Sequence, residues 1–420
     1  MTLSKLHGID IDRLMSNIED YAQYGKNEYG GITRPSFSEE DKKVRNKFIN
    51  ELKDLGLEIT VDGAANIWAR KKGTGMKTGA IVVGSHLDSV PNGGKFDGPL
   101  GVLMAKELLI SLEEHNIQLD HDLEIVSFTA EESNDFNLST FGSRSFTGKL
   151  PLEKLKDVTD STGTKLTDAL LEVDGNLDSY PEMYRQYEDK KAFFELHIEQ
   201  GKRLESQNIS VASVDRMAGV YRNNIKLIGE SNHSGTTTMD SRTDALTAAS
   251  EMILQVENVC QEHKNDVVGT VGKANVYPNA TNIVPGEVEF LFEVRGQTNK
   301  EMFHYVISEI LSQCKDIASK RGITMEEDVI INQDPIPLDN DLIDVLNQSA
   351  EQVNEPHLTL TSMAVHDAAH MSSVTKSVML FVKSIDGKSH CPEEYTRPDD
   401  IEAAGKVLLQ SLISADAKLS

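Results

Sequence analysis

Cysteine is scarce in this chain: three in 420 residues, at Cys260, Cys314 and Cys391, none two residues from another. An odd, scattered set excludes a disulfide-stapled secreted scaffold and a thiolate zinc site. Positive charge is in deficit too. Lys and Arg number 42 against 67 Asp and Glu, a formal net charge of -25, which repels phosphate and sets aside broad binding to nucleic acid or an anionic membrane. Long apolar runs are missing: stretches such as VMLF (378–381) fall far short of the roughly 20 residues that span a bilayer. The opening MTLSKLHGIDIDRL lacks the apolar core of a signal peptide. Apolar residues still make up 39 % of the chain, enough for large cores, so a wholly disordered protein is excluded. The expectation is a soluble, cytoplasmic protein of two or three domains, at roughly 150 residues each.

The first 60 residues pattern as helices: IDIDRLMSNIEDYAQYG, then SFSEEDKKVRNKFINELKDLG with Ser38 as N-cap and Gly56 as stop. From about residue 65, short apolar runs without strict alternation (AIVVG at 80–84, LEIVSFTA at 123–130, AFFELHI at 192–198) alternate with helical segments such as GVLMAKELLISLEEH (101–115). Buried strands interleaved with helices predict an α/β sheet covered by helices. Residues 214–330 pattern as a strand near 222–229, a helix over 242–264, strands at 268–276 and 287–295, a helix over 299–321 and a strand at 323–331. That β-α-β-β-α-β order predicts a small ferredoxin-like α+β sandwich. Helix 339–353 and strand VMLFV (378–382) then resume the earlier style. Two units are therefore expected: one from 1–213 and 331–420, and an inserted one over 214–330.

Chemistry-bearing residues recur where strands end. After AIVVG comes GSHLDSVPNGGKFDGPLG (84–101), with His86, Asp88 and Asp97 in a Gly- and Pro-rich segment, at the usual crevice of an open α/β sheet. His86 and Asp88, two apart in extended chain, point to one side. TAEESNDF (129–136) places Glu131 and Glu132 at another strand end, where adjacent carboxylates repel unless something positive offsets them. His197 sits in the apolar run FELHIEQG (194–201), and His390 follows the strand at 378–382. Each has an ordinary explanation: a solvated turn, a surface Glu pair, a core histidine with its own partner. Their repetition at four strand ends is harder to explain that way. Histidines with carboxylates and no Cys favour Zn, Mn or Co. Competing motifs fare worse. GTGMKTG (73–79) lacks Walker spacing, leads into a strand and reads as a hairpin-like turn. No GxSxG elbow occurs, and Cys391 beside His390 in sequence makes no Cys–His dyad.

These stretches, with FGSRSFTG, NHSGTTTMDSRTDAL, PNATNIVPGEVEF, HDA and SHCPEEY in order along nearly the whole chain, resemble the co-catalytic zinc aminoacylase and carboxypeptidase superfamily, in its hydantoinase/carbamoylase branch. That branch contains N-carbamoyl-L-amino-acid hydrolases, allantoate amidohydrolases and β-ureidopropionases. The resemblance implies a metallopeptidase-like catalytic domain, a mixed sheet flanked by helices, with the inserted unit as lid and dimerisation domain. It implies two divalent metal ions per subunit, Zn or Mn/Co, bridged by Asp97, with His86 and His197 on one and Glu132 and His390 on the other. Glu131 matches the general base and Asp88 the carboxylate behind the first histidine. Gln200, His233, Asn282, Arg295 and His366 match substrate-binding positions, His233 reaching a partner subunit's active site. Without the resemblance, Arg295 reads as a salt bridge at a strand end.

This chain departs from the pattern at Asp135, where relatives carry a basic residue, and at Met363 and Val365, where they carry small ones. The implied activity is metal-dependent hydrolysis of the ureido group of an N-carbamoyl-L-amino acid, in a homodimer acting on a small ureido-carboxylate. The alternatives are allantoate, an N-acyl amino acid or dipeptide, and a non-catalytic homologue that only binds metal or ligand.

Overall fold

A computed structural model describes residues 8–183 and 186–420; the opening MTLSKLH, read above for a signal peptide, lies outside the described residues. The chain forms two compact units. The first takes the chain up to Asp215 with Leu338–Leu360 and His366–Ser420, and the second takes Arg216–Pro337 with Thr361–Val365. The second unit runs past the sequence boundary at 330 because its last strand continues to Gln333 and Ile336–Pro337 pairs with Met217 and Arg216. The piece at 361–365 joins it where Ser362 O accepts from Ala218 N at 2.7 Å.

Starting from the edge strand Glu58–Val61, the sheet of the first unit runs through Ile67–Lys71, Asp122–Phe128, Ala80–His86, Lys190–Ile198 and Lys376–Val382 to Val211–Met217, onto which His357–Ser362 also pairs. The four middle strands are mutually parallel, and their flanking neighbours pair antiparallel. Ala80–His86 is buried at every position, which is why its apolar run shows no alternation: both faces are covered. Helix Pro99–Glu114 packs on this strand and helix Pro398–Lys418 on Lys376–Val382. Parallel strands end on the same side, so the segments after Phe128, His86, Ile198 and Val382 share one edge of the sheet.

Two local readings differ from the sequence expectation. The stretch at 73–79 is no hairpin, because strand Asp122–Phe128 lies between the two strands it joins. The early helical region ends in strand Glu58–Val61, turned back by Asp62, whose buried carboxylate accepts from Ala64 N, Asn66 N and Trp68 Nε1. Ser38 does cap helix Glu39–Asp54, accepting from Asp41 N, and Gly56 follows that helix at φ +74°.

The second unit orders its sheet Thr324–Gln333, Gly219–Ile228, Glu287–Gly296, Val267–Tyr277, all antiparallel, as in a ferredoxin-like sandwich. Val288, Phe290, Phe292 and Val294 alternate into its core with residues of helices Ala245–Glu262 and Lys300–Arg321. Cys260 and Cys314 are in that core, and burial pushes their thiols up to about 11 and about 12, so neither is a reactive thiolate. Among the described residues no helix is long and apolar enough to cross a membrane.

Candidate metal centre

His86 is the last residue of its strand, and the chain returns to it eleven residues later at Asp97 and Gly98. Gly98 has φ +80° and ψ -63°, and a Cβ there would lie 2.6 Å from His86 Nε2 and closer still to Cε1 and Nδ1. A glycine is therefore required for the loop to pass over the imidazole. Asp97 sits at the centre of the cluster. Its Oδ1 is 3.1 Å from His197 Nε2 and 3.7 Å from His86 Nε2, while Oδ2 is 3.4 Å from His390 Nε2. His390 Nε2 is also 3.1 Å from Glu132 Oε1.

The inner two imidazoles are oriented from behind. His86 Nδ1 lies 3.1 Å from Asp88 O and His197 Nδ1 3.0 Å from Ile198 O. Donation to those carbonyls keeps a proton on Nδ1 of each ring and turns Nε2 toward Asp97, so that loss of an Nε2 proton gives the tautomer a cation ligand needs. His86 Nε2 is buried with no hydrogen-bond partner.

The two glutamates are set by a turn just past Phe128. Ala130 takes the left-handed conformation at φ +53°, held by Phe141 N donating to Ala130 O at 2.9 Å and Thr140 N to Glu131 O at 2.7 Å. Both glutamate amides then point at Asp88, whose Oδ2 accepts from Glu132 N at 3.1 Å and whose Oδ1 lies 3.4 Å from Glu131 N. Asp88 thus organises the Glu131–Glu132 turn as well as backing His86, from which its Oδ1 is 3.5 Å away.

The electrostatics are those of a buried, overcharged site. Asp88, Asp97, Glu131 and Glu132 are all buried. Burial pushes the Glu131 carboxyl well above its usual range, with Glu132, Asp367 and Asp88 adding to the effect against His86. Burial alone would depress His86, but the charges of Glu131, Asp88 and Asp97 outweigh it and hold this imidazole well above the ordinary histidine value. Hydrogen bonds to Asp97 and Glu132 raise His390 to about 10. Asp97 is held well below the usual carboxylate range: burial opposes this, and His197 leads the groups that overcome it. The cluster gathers positive charge in whatever form is available. Two donor groups, His86/Asp97/His197 and Asp97/Glu132/His390, each bring their ligand atoms within 4.8 Å of one another and share Asp97. Nitrogen and carboxylate donors without thiolate, an unpartnered buried Nε2 and mutually repelling carboxylates all fit divalent cations.

Gln200 and His366 belong to the same cluster. Gln200 Nε2 donates to Asp97 Oδ2 at 2.7 Å, so its amide holds the central carboxylate, a different task from the substrate contact expected of it. The His366 ring centroid is 4.3 Å from that of His197, and burial, reinforced by the His197 charge, keeps His366 well below the ordinary histidine range. Three participants were missed in the sequence. Ser389 and Glu394 flank His390 in KSHCPEEY, and Glu195 lies two before His197 on the same face of its strand, accepting from Ser85 Oγ at 2.9 Å and Ala368 N at 2.8 Å. The period-two position of Glu195 was a readable signal.

His233, Asn282 and Arg295 lie in the second unit. His233 Nδ1 accepts from Gly235 N at 3.0 Å and lies 3.3 Å from Thr236 N, which leaves its proton on Nε2. Asn282 O accepts from Ser234 N at 3.0 Å beside it. Arg295 donates from Nε to Glu293 Oε1 and from Nη1 to Met363 O, both at 2.7 Å. The salt bridge that the bare sequence favoured is present.

Known proteins resemble this chain along most of its length. The sequence model of Peptidase family M20/M25/M40 matches residues 82–414. The chain is similar to the N-carbamoyl-L-amino-acid amidohydrolase of Pseudomonas sp. (strain NS671), 35 % identical over 408 residues covering 96 % of this chain and 98 % of the relative. It is similar to the allantoate amidohydrolase of Bacillus subtilis (strain 168), 34 % identical over 397 residues covering 94 % and 95 %. Among solved structures, a hydantoinase/carbamoylase family amidase from Burkholderia multivorans aligns with a TM-score of 0.88 at 30 % identity, covering 97 % of this chain and 98 % of that one.

Proposed function

Because the chain belongs to Peptidase family M20/M25/M40, alongside hydantoinase/carbamoylase amidases, we propose that it hydrolyses the ureido group of an N-carbamoyl-L-amino acid to the amino acid, carbon dioxide and ammonia. The observation that carries this reading is Asp97, whose two oxygens face two separate donor groups with the Glu131 carboxyl beside them. His86, His197 and Asp97 would hold one divalent ion and Asp97, Glu132 and His390 a second, and such ions, when bound, supply a Lewis acid for the ureido carbonyl and a water acidified to about pKa 7. Zn, Mn and Co all suit this donor set.

Glu131 takes the proton of the attacking water and delivers it to the leaving nitrogen. Its burial disfavours the charged form, which favours uptake of the water's proton. Asp88 keeps Glu131 in register through the Glu131 and Glu132 amides. His233, with its proton on Nε2, donates a hydrogen bond to the scissile carbonyl across a subunit boundary. Asn282 and Arg295 bind the substrate's α-carboxylate, for which a planar guanidinium fork is suited; these contacts rest on the resemblance. His366, kept neutral, faces the same cluster as a substrate contact.

A second copy of the chain suits the second unit. Its edge strand Val267–Tyr277 exposes Val268 and Tyr277, and helix Ala245–Glu262 exposes Leu246 and Leu254. A cytoplasmic location stays part of the reading on the sequence alone. The Bacillus subtilis relative, nearly as similar as the Pseudomonas one, keeps allantoate as the second reading.

The deciding experiment measures ammonia release from N-carbamoyl-L-amino acids and from allantoate, with Zn, Mn or Co supplied. Glu131→Gln should then lower kcat about 10²–10⁴-fold with the metal content of the wild type. Undiminished turnover would remove Glu131 as the base, and a wild type inert on every ureide would favour a protein that only binds.

A further inference from the structure

Asp97 is gripped from behind by a residue outside both donor groups. Glu394 is only 4 % exposed. Its Oε1 accepts from the backbone N–H of Phe96 at 2.8 Å and of Asp97 at 3.0 Å. Its Oε2 lies 3.3 Å from Ser389 Oγ, and the same hydroxyl lies 2.6 Å from Asp97 Oδ2. Glu394 therefore holds Asp97 at both ends: the amide directly, the carboxylate through Ser389. The approach is made possible by Gly94, where a Cβ would lie 2.5 Å from Glu394 Cβ and closer still to its carboxyl. Some 298 positions separate Phe96 from Glu394 in the chain, so the contact ties the loop after one strand to the loop after another.

The orientation matters because of how Asp97 is used. Its Oδ1 faces His197 and His86 while Oδ2 faces His390, and only one carboxylate plane satisfies both sides. The terminal torsion of an aspartate is broad and roughly two-fold, so the side chain does not choose that plane unaided. The amide contacts fix the backbone at Asp97. Ser389 Oγ, with Gln200 Nε2 at 2.7 Å, fixes the torsion at Oδ2. A serine hydroxyl has one proton; it is donated chiefly to Asp97 Oδ2, the shorter contact, with Glu394 Oε2 as a second, weaker acceptor of the same proton that helps to aim the hydroxyl.

We propose that Glu394 is a positioning residue which, acting through Ser389, sets the carboxylate plane of Asp97 and so governs how tightly a second cation is held between Asp97, Glu132 and His390. This rests on the two-ion reading above. What Glu394 supplies is acceptor geometry at Oε1 and a polar partner for Ser389, so glutamine in its place should serve: its carbonyl oxygen accepts from the same two amides, and its N–H donates to Ser389 Oγ, leaving the serine proton on Asp97.

The test titrates cobalt(II) chloride into metal-free protein, following the visible d–d absorption with free cobalt set by a competing chelator. Wild type should take two equivalents. Glu394→Ala should keep the first within about threefold and bind the second at least tenfold more weakly. Ser389→Ala should show the same selective loss, and Glu394→Gln should restore wild-type behaviour. Thermal melts of the metal-free proteins check folding, and Ser389→Ala decides the matter if Glu394→Ala does not fold. Two wild-type equivalents in Ser389→Ala and Glu394→Ala alike overturn the inference. So does equal weakening of both ions that Glu394→Gln fails to rescue, which marks a general structural role. Fewer than two equivalents in the wild type overturns the two-ion reading itself, an outcome distinct from the other two.

Discussion

Gly98→Ala should strip the His86 side of the metal centre while the rest of the unit stays folded. Two costs arise from the coordinates. At φ +80° and ψ -63° an L side chain is in a sparsely populated region worth roughly 1–3 kcal/mol. The new Cβ also falls 2.6 Å from His86 Nε2 and nearer still to Cε1 and Nδ1 of the same ring, whereas carbon contacts settle at about 3.5–4.0 Å. The ring must retreat by about 1 Å, or the loop must. The loop has little freedom, because Pro99 opens the next helix at Gly98's carboxyl side and its φ is preset. Displacing the ring takes Nε2 away from the cation position, and by analogy with disturbed ligand supports the affinity on that side should fall about 10–100-fold. Chelator-competition titration with zinc measures this, and urea unfolding of the metal-free forms measures the backbone cost. Gly75→Ala is the control: Gly75 has φ +78° but nothing within 4 Å of its would-be Cβ, so it carries backbone strain without the ring contact. If Gly98→Ala matches the control in metal affinity, the cradle argument is wrong.

His370 should make the metal-free protein acid-sensitive. Burial, followed by the Lys149 and Arg144 charges, lowers its pKa from 6.5 to about 3. The folded value lies below the unfolded one, so the stability is fully present above about pH 6.5 and declines as pH falls toward 3, by about 1.4 kcal/mol per unit inside that window. His370→Gln should reduce this slope, read as urea midpoints at pH 7 and pH 5; equal slopes in both proteins would contradict it. Arg295→Ala should raise KM for a carboxylate-bearing ureide by roughly tenfold or more with kcat little changed, the loss expected for a hydrogen bond to a charged group; an unchanged KM places the carboxylate elsewhere. On the proposed dimer reading, Leu254→Arg, on the exposed face of helix Ala245–Glu262, should sediment as a monomer where the wild type sediments as a dimer, without altering metal binding by the first unit. A wild type that sediments as a fully active monomer would rule out His233 acting across a boundary.

Much of this was legible because it is local. Ala80–His86 announces a doubly covered strand by its unbroken apolar run, and Glu287–Gly296 a singly covered one by strict alternation, since each pattern records which faces meet water. Ser38 and Gly56 mark their helix ends through hydrogen bonding and φ preference within a few residues. His86, Asp97, Glu132, His197 and His390 likewise stand in the sequence at or beyond strand ends, though their grouping as two sets of metal ligands came from the family resemblance and not from local pattern.

What the chain alone determined is therefore the set of parts: the elements, the donor atoms, and the large acidic excess. Tertiary structure alone decided how they meet. Only the strand order brings the ends after residues 86, 128, 198 and 382 side by side, and that order is chosen by the packing of whole faces, which no short window contains. The same holds for the turn at 73–79, misread as a hairpin because the strand that separates its arms comes some forty residues later. Gln200 turned to Asp97, and Glu394 reaching back to the Asp97 amide, follow from distances across loops far apart in the chain. Hydrogen bonds of that kind last about as far as 3 Å, and residue spacing along a flexible polymer carries no information at that scale.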